Sequence, residues 1–273
     1  MEIINGSEIA NEIKLRLKQE NEQRNMVPSL AVIVVGDDKE SLVYAGLKEK
    51  ATEFIGGKCR LDLLPASISR EGLIKYIEDL NENNDVHGIL LQLPLPGDLE
   101  QFTEDFLNTI DPAKDVDGFN PRNRGQLFQG EASFISPAAR ACMEVINRTK
   151  GTLADWGITL VGDSFDLIIP LAIVLTRQGS RVSIIPDYKK ATLPASDIYV
   201  IEKGEPLIFN DQHIKDGALV IDAGFHWNQG KVCGNVNRDK MTGLSGHLMS
   251  VPGGIGPILI AELMNNLCQA ADR

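Results

Sequence analysis

Positive charge, aromatic rings, cysteine and long apolar runs are all scarce in this 273-residue chain. Lysine and arginine number 27 against 38 aspartates and glutamates, which leaves a net charge of −11. Binding along a phosphate backbone needs a basic surface, so nucleic acid is excluded as the main partner, though a local basic patch for a small anion is not. The four cysteines, Cys59, Cys142, Cys233 and Cys268, form no Cys-x-x-Cys pair. His87, His213, His226 and His247 fall in no metal-ligand spacing, so free thiols, ordinary histidines and no metal site are expected. The most apolar run, Leu167 to Leu175, holds nine residues including Pro170, whereas a membrane-spanning helix needs roughly 20. Glu2 and Glu8 stand where a targeting peptide would carry positive charge. These absences predict a reduced, cytoplasmic protein with no membrane partner.

What is present is ordinary globular usage, 43% hydrophobic and 24% charged residues, enough to build one large or two modest α/β domains. Ile9, Ile13 and Leu17 recur at helical spacing after Ser7, a candidate N-cap. Leu30 to Val35 reads as a buried strand. Residues 39 to 55 return to helical periodicity, with Val43, Leu47, Ala51 and Phe54 as the apolar stripe. Strand (60–64), helix (70–80) and strand (86–91) follow, and this alternation predicts parallel βαβ units. Beyond Asn120, Arg122, Arg124 and Gly125 read as a loop, then residues 138–147 as a helix. Strands at 158–161, 181–185, 198–201 and 219–221, a helix reaching Thr176 and a terminal helix from Pro257 to Ala271 complete the pattern. The expected architecture is two α/β domains with a cleft between them.

Tyr44 and Lys48 are four residues apart and so share one helix face. A lysine at the edge of an apolar stripe has an ordinary reading, its stem along the core and its head in water. The functional reading is an ammonium made less basic by desolvation and able to move protons near neutral pH. Gln92, in Leu91-Gln92-Leu93-Pro94-Leu95-Pro96, lies just past a predicted strand, where parallel folds open their ligand crevice. The prolines stiffen that exit. In Asp115-Val116-Asp117-Gly118-Phe119, Asp117 can accept hydrogen bonds from a nitrogen-rich ring, or both acids can cap a turn.

These motifs, followed by Val251-Pro252-Gly253-Gly254-Ile255-Gly256-Pro257, occur in an order that resembles the bifunctional methylenetetrahydrofolate dehydrogenase/methenyltetrahydrofolate cyclohydrolase family nearly end to end. The resemblance implies an N-terminal three-layer α/β folate domain (1–138 with the returning helix 256–273) and a Rossmann-like, doubly wound domain (139–255). It implies a tetrahydrofolate derivative as substrate, Lys48 as the catalytic group of the cyclohydrolase step, Gln92 tuning it and Tyr44 orienting substrate. Asp117 and Pro257 would join Tyr44 in binding the folate, and a homodimer is implied.

The family's cofactor loop reads Gly-x-Ser-x-x-x-Gly-x-Pro, usually with Arg second. Here it is Gly162-Asp163-Ser164-Phe165-Asp166-Leu167-Ile168-Ile169-Pro170. Gly162, Asp163 and Ser164, with Phe225 further on, mark a degenerate cofactor site. Asp163 stands where Arg would help hold a 2′-phosphate, and Ile168 stands where Gly would let backbone approach a dinucleotide. Asp187, Glu202-Lys203 and Phe225-His226 depart from the pattern too. The resulting expectation is a cyclohydrolase whose dehydrogenase activity is weakened or lost and which does not use NADP. Two alternatives stand beside it. Asp187 can instead hold the ribose of NAD, which would keep the enzyme bifunctional. A non-catalytic folate-binding paralogue is the other, against which a binder's small need for Lys48 counts.

Overall fold

The computed structural model describes residues 1–151, 154–188, 193–228 and 230–273. Along the chain, β1 (Glu2–Ile3), α1 (Gly6–Arg24), β2 (Ser29–Val35), α2 (Lys39–Phe54), β3 (Lys58–Leu64), α3 (Arg70–Glu82) and β4 (Gly88–Leu91) come first. They are followed by α4 (Thr103–Thr109), α5 (Pro121–Gln129), α6 (Pro137–Lys150), β5 (Gly157–Val161), α7 (Ile168–Arg177) and β6 (Arg181–Ile185). The chain ends with β7 (Ile198–Ile201), β8 (Leu219–Asp222), β9 (His226–Asn228), β10 (Lys231–Cys233), β11 (His247–Met249) and α8 (Ile255–Ala271). No helix of the described residues is long and apolar enough to cross a membrane.

The chain divides into two compact units, one of Asn11–Pro137 with Ile260–Arg273, the other of Met1–Ala10 with Ala138–Leu259. The first unit holds a parallel sheet of order β3-β2-β4. Central β2 is buried on both faces from Leu30 to Val35, which is why its sequence is a continuous apolar run and not an alternation. Ile33, Ile89 and Leu91 pack with Leu73 and Ile77 of α3 and Phe106 of α4. At Gly88 an added Cβ would stand 2.7 Å from Val116 and 2.8 Å from Leu267 of α8, so only glycine lets that helix lie so close to β4.

The second unit carries a six-stranded sheet of order β1-β11-β8-β7-β5-β6, in which every pairing is parallel, and a separate β9–β10 hairpin. From β5 onward this is the doubly wound order 2-1-3-4-5, whose direction of winding reverses between its first and third strands, β5 and β7.

Three expectations are corrected. Residues 1–10 and 256–259, expected in the first domain, belong to the second unit, to which Glu2 and Ile3 are drawn by pairing with His247 and Leu248. The stretch containing Arg122, Arg124 and Gly125 is not a loop but helix α5, started by Asn120 as N-cap with Pro121 in its first turn and ended by left-handed Gly130. In α2 the stripe of Val43, Leu47 and Phe54 faces solvent, while Ser41, Ala45, Ala51 and Thr52 are buried. Small and hydroxylated side chains let α2 lie close to the sheet, and Thr52 satisfies its hydroxyl on its own helix, donating to the Lys48 carbonyl at 2.9 Å. The cysteines are free, Cys142 and Cys268 buried, Cys59 and Cys233 only partly so.

Candidate active site

Lys48 sits in the third turn of α2, a helix whose start is fixed by the Asp38 carboxylate accepting from the Ser41 amide at 2.8 Å. Its Nζ donates to Gln92 Oε1 at 2.9 Å. Gln92 is placed by two further bonds. Its amide donates to Ile33 O at 2.9 Å, carrying the sheet ladder one residue beyond β4. Its Nε2 donates to Leu93 O at 2.9 Å. Because that carbonyl engages the NH₂, the amide oxygen is the end left to face the lysine.

Burial pushes the Lys48 ammonium below its ordinary proton affinity, and the negative charge of Asp117 pulls it partway back. Lys48 thus faces a neutral amide, with a carboxylate in electrostatic reach. Tyr44, one turn earlier, keeps 41% of its surface exposed. Lys48, Gln92, Asp117 and Tyr44 therefore all belong to the first unit, and the first three are linked by a hydrogen bond and a charge interaction. Pro257 lies in the second unit, in the first turn of α8.

The two acids of the Asp-Val-Asp-Gly-Phe segment divide the roles left open above. Asp115 is buried and accepts from the amides of Phe119 (3.1 Å) and Asn120 (2.8 Å) and from Asn123 Nδ2 (2.8 Å). It is the turn former. Asp117 stays half-buried and is the acid felt by Lys48. Gly118, at φ +69°, lets the chain pass the 134–136 backbone, which a Cβ would meet at 3.0–3.2 Å.

In the second unit the loop after β5 and the loop after β7 meet. Lys203 Nζ donates to Asp163 Oδ1 in an exposed ion pair. Glu202 is half-buried. Its Oε2 is covered and has no hydrogen-bond partner, and desolvation raises the proton affinity of the carboxyl. Ser164 Oγ accepts from the amides of Leu167 (3.3 Å) and Ile168 (3.1 Å), and Ser164 O accepts from Ile169 at 3.0 Å. Ile168 is wholly buried, with Cγ1 3.0 Å from where a Gly162 Cβ would be. The isoleucine thus fills the space under the loop. Phe225 is half-exposed and meets Trp227 edge-on at 6.5 Å.

One group went unread in the sequence. Asp222, at the end of β8, is fully buried and accepts from the amides of Gly224, Asn235 and Val236; burial lifts it to about 6. The available signal was its position, an acid closing an apolar strand. Among the described residues no cluster of three or more His, Cys, Asp or Glu could hold a metal.

Comparison with known proteins matches residues 4–117 to the tetrahydrofolate dehydrogenase/cyclohydrolase catalytic domain and residues 136–273 to the NAD(P)-binding domain of the same family. "Bifunctional protein FolD 1" of Syntrophomonas wolfei subsp. wolfei is 50% identical over 273 residues, 99% of each chain. "Bifunctional protein FolD" of Listeria innocua is 36% identical, across 100% of this chain and 98% of its own. The crystal structure of the bifunctional enzyme FolD from Campylobacter jejuni superposes with TM-score 0.93 at 31% identity, covering 99% of this chain and 98% of its own. That of Trypanosoma brucei, solved with NADP and an inhibitor, gives TM-score 0.89 at 28% identity, covering 99% and 97%.

Proposed function

The chain belongs to the tetrahydrofolate dehydrogenase/cyclohydrolase family, and from that premise we propose that it is a bifunctional enzyme of folate one-carbon metabolism whose hydrolytic step is run by Lys48. The observation that carries the reading is the Lys48–Gln92 hydrogen bond, an ammonium held by an amide and not by a counter-charge. Opening 5,10-methenyltetrahydrofolate to the 10-formyl product adds water to the bridging carbon and breaks its bond to N5. The neutral amine of Lys48 takes one proton from the attacking water; the resulting ammonium returns it to N5 as the C–N bond breaks, and the remaining hydroxyl proton leaves to solvent as the formyl C=O forms. Such a shuttle works best when both forms of the catalyst lie near the working pH, and positioned proton transfer contributes on the order of 10²- to 10⁴-fold. Tyr44 orients the substrate, Asp117 accepts from the pterin nitrogens, and Pro257 is retained as a proposed substrate contact.

The dehydrogenase half needs a nicotinamide dinucleotide, the hydride acceptor, in the second unit. A weakened or lost dehydrogenase, the reading drawn from the loop sequence, has less support than a retained one. The relatives are named as bifunctional. We also propose a homodimer. Sedimentation as a 29.9 kDa species at micromolar concentration would refute that assembly.

The test of the activity is the absorbance decay of methenyltetrahydrofolate, with and without dinucleotide. Hydrolysis faster than buffer, abolished in Lys48→Ala with the fold intact, is the expected result. A rate no greater than buffer would leave only a folate binder.

A further inference from the structure

In doubly wound sheets a ligand enters at the carboxyl ends of the strands where the winding reverses, here between β5 and β7. The loops that flank that point carry Asp163 on one side and Glu202 and Lys203 on the other, and the Asp163–Lys203 ion pair bridges them. Asp187, just past the end of β6, is also within electrostatic reach of Lys203. Asp166 in turn is felt by Glu202. Among the described residues of these loops, the ammonium of Lys203 is engaged by Asp163 and lies within electrostatic reach of Glu202 and Asp187.

Dinucleotides differ here in one respect. NAD ends its adenine ribose in a 2′-hydroxyl, a hydrogen-bond donor; NADP carries a phosphate at that oxygen. An acid at the end of the second strand of a doubly wound unit accepts from the 2′-hydroxyl, whereas a phosphate calls for arginine or another free cation. β6 is that second strand and Asp187 that acid. Among the described residues, those present fit a dinucleotide with a free ribose diol and do not fit a 2′-phosphate.

Resting on the bifunctional reading, we propose that this crevice takes NAD and excludes NADP, with Asp187 and Asp163 as the residues that make the choice. Asp187 acts by accepting from the ribose and by repelling phosphate; Asp163 acts by keeping Lys203 engaged. Calorimetric titration of the whole protein with each dinucleotide, at low and high salt, tests this directly. The expected result is NAD binding tighter than NADP by at least about tenfold at low ionic strength, a gap that narrows in high salt as the repulsion is screened. Asp187→Asn should weaken NAD and tighten NADP. Asp163→Asn, which frees Lys203, should tighten NADP alone. NADP bound as tightly as NAD, or a ratio unmoved in both variants, would overturn the assignment. Hydride transfer from methylenetetrahydrofolate to NADP would do so while leaving the bifunctional reading intact. Binding of neither dinucleotide, with methenyl hydrolysis still present, would overturn both the cofactor choice and the dehydrogenase half.

Discussion

Lys48 and Lys203 each hold a hydrogen bond to a side chain across a gap between elements, and the partners make them opposites. Lys48 is drawn out of water and faces the amide oxygen of Gln92, so its proton is held less tightly than usual. Lys203 is exposed and faces the Asp163 carboxylate, and the hydrogen bond to that acid holds its proton more tightly than usual. Desolvation with a neutral acceptor penalises the ammonium; a carboxylate partner stabilises it. The first arrangement suits proton transfer, the second suits a fixed charge that shapes what binds nearby. Lysine supplies both because its pKa responds so readily to its surroundings.

The comparison is broken most completely by removing the reactive amine. Lys48→Met should lower kcat for methenyltetrahydrofolate hydrolysis by on the order of 10²- to 10⁴-fold, read by absorbance decay, with the circular dichroism melt showing a folded protein. Gln92→Glu sharpens it by giving Lys48 the kind of partner Lys203 has. The lysine then holds its proton harder, the limb of the pH–rate profile on which activity rises moves to higher pH, and the rate at neutral pH falls roughly 10- to 100-fold. Gln92→Ala should also slow turnover, through lost positioning.

Asp117→Asn works in the other direction. The Asp117 charge raises the lysine's proton affinity, so neutralising it lowers that affinity and moves the same limb to lower pH. A shift upward would show that Asp117 does not act on Lys48 as described. Substrate affinity should weaken as well, seen as a higher KM. The smallest effect belongs to Lys203→Ala: an exposed ion pair contributes little to stability, and no resolvable change in melting temperature is expected.

The frame of both regions is legible in the chain, and the reasons are local. β2 announces itself as an unbroken apolar run because both its faces are covered, and Tyr44 and Lys48 share a face by helical spacing alone. Gln92 follows a strand that ends at a Leu-Pro-Leu-Pro exit, so its place at a sheet edge is readable too. What the sequence conceals is set by contacts distant along the chain. The pairing of Glu2 with His247 spans nearly the whole length, and no local pattern foretells it. The α2 stripe misleads because close approach to the sheet favours Ser41, Ala45 and Thr52 over the larger Val43 and Leu47. Asp115 and Asp117 look alike in sequence; the amides of Phe119 and Asn120 and the side chain of Asn123 separate the turn former from the charge near Lys48. Asp163 reads as a bare negative charge until the loop after β7 brings Lys203 to it.

Everything proposed for the hydrolytic site depends on the proton affinity of one side chain. Nuclear magnetic resonance titration of the Lys48 side chain, assigned by comparison with Lys48→Met, measures it beside the pH–rate profile of the same preparation. The expected midpoint lies below the ordinary lysine value of 10.5, coincides with the kinetic limb, and moves upward in Gln92→Glu. A midpoint at or above 10.5, or one that does not follow the kinetic limb in the variant, would contradict the assignment of Lys48 as the proton shuttle.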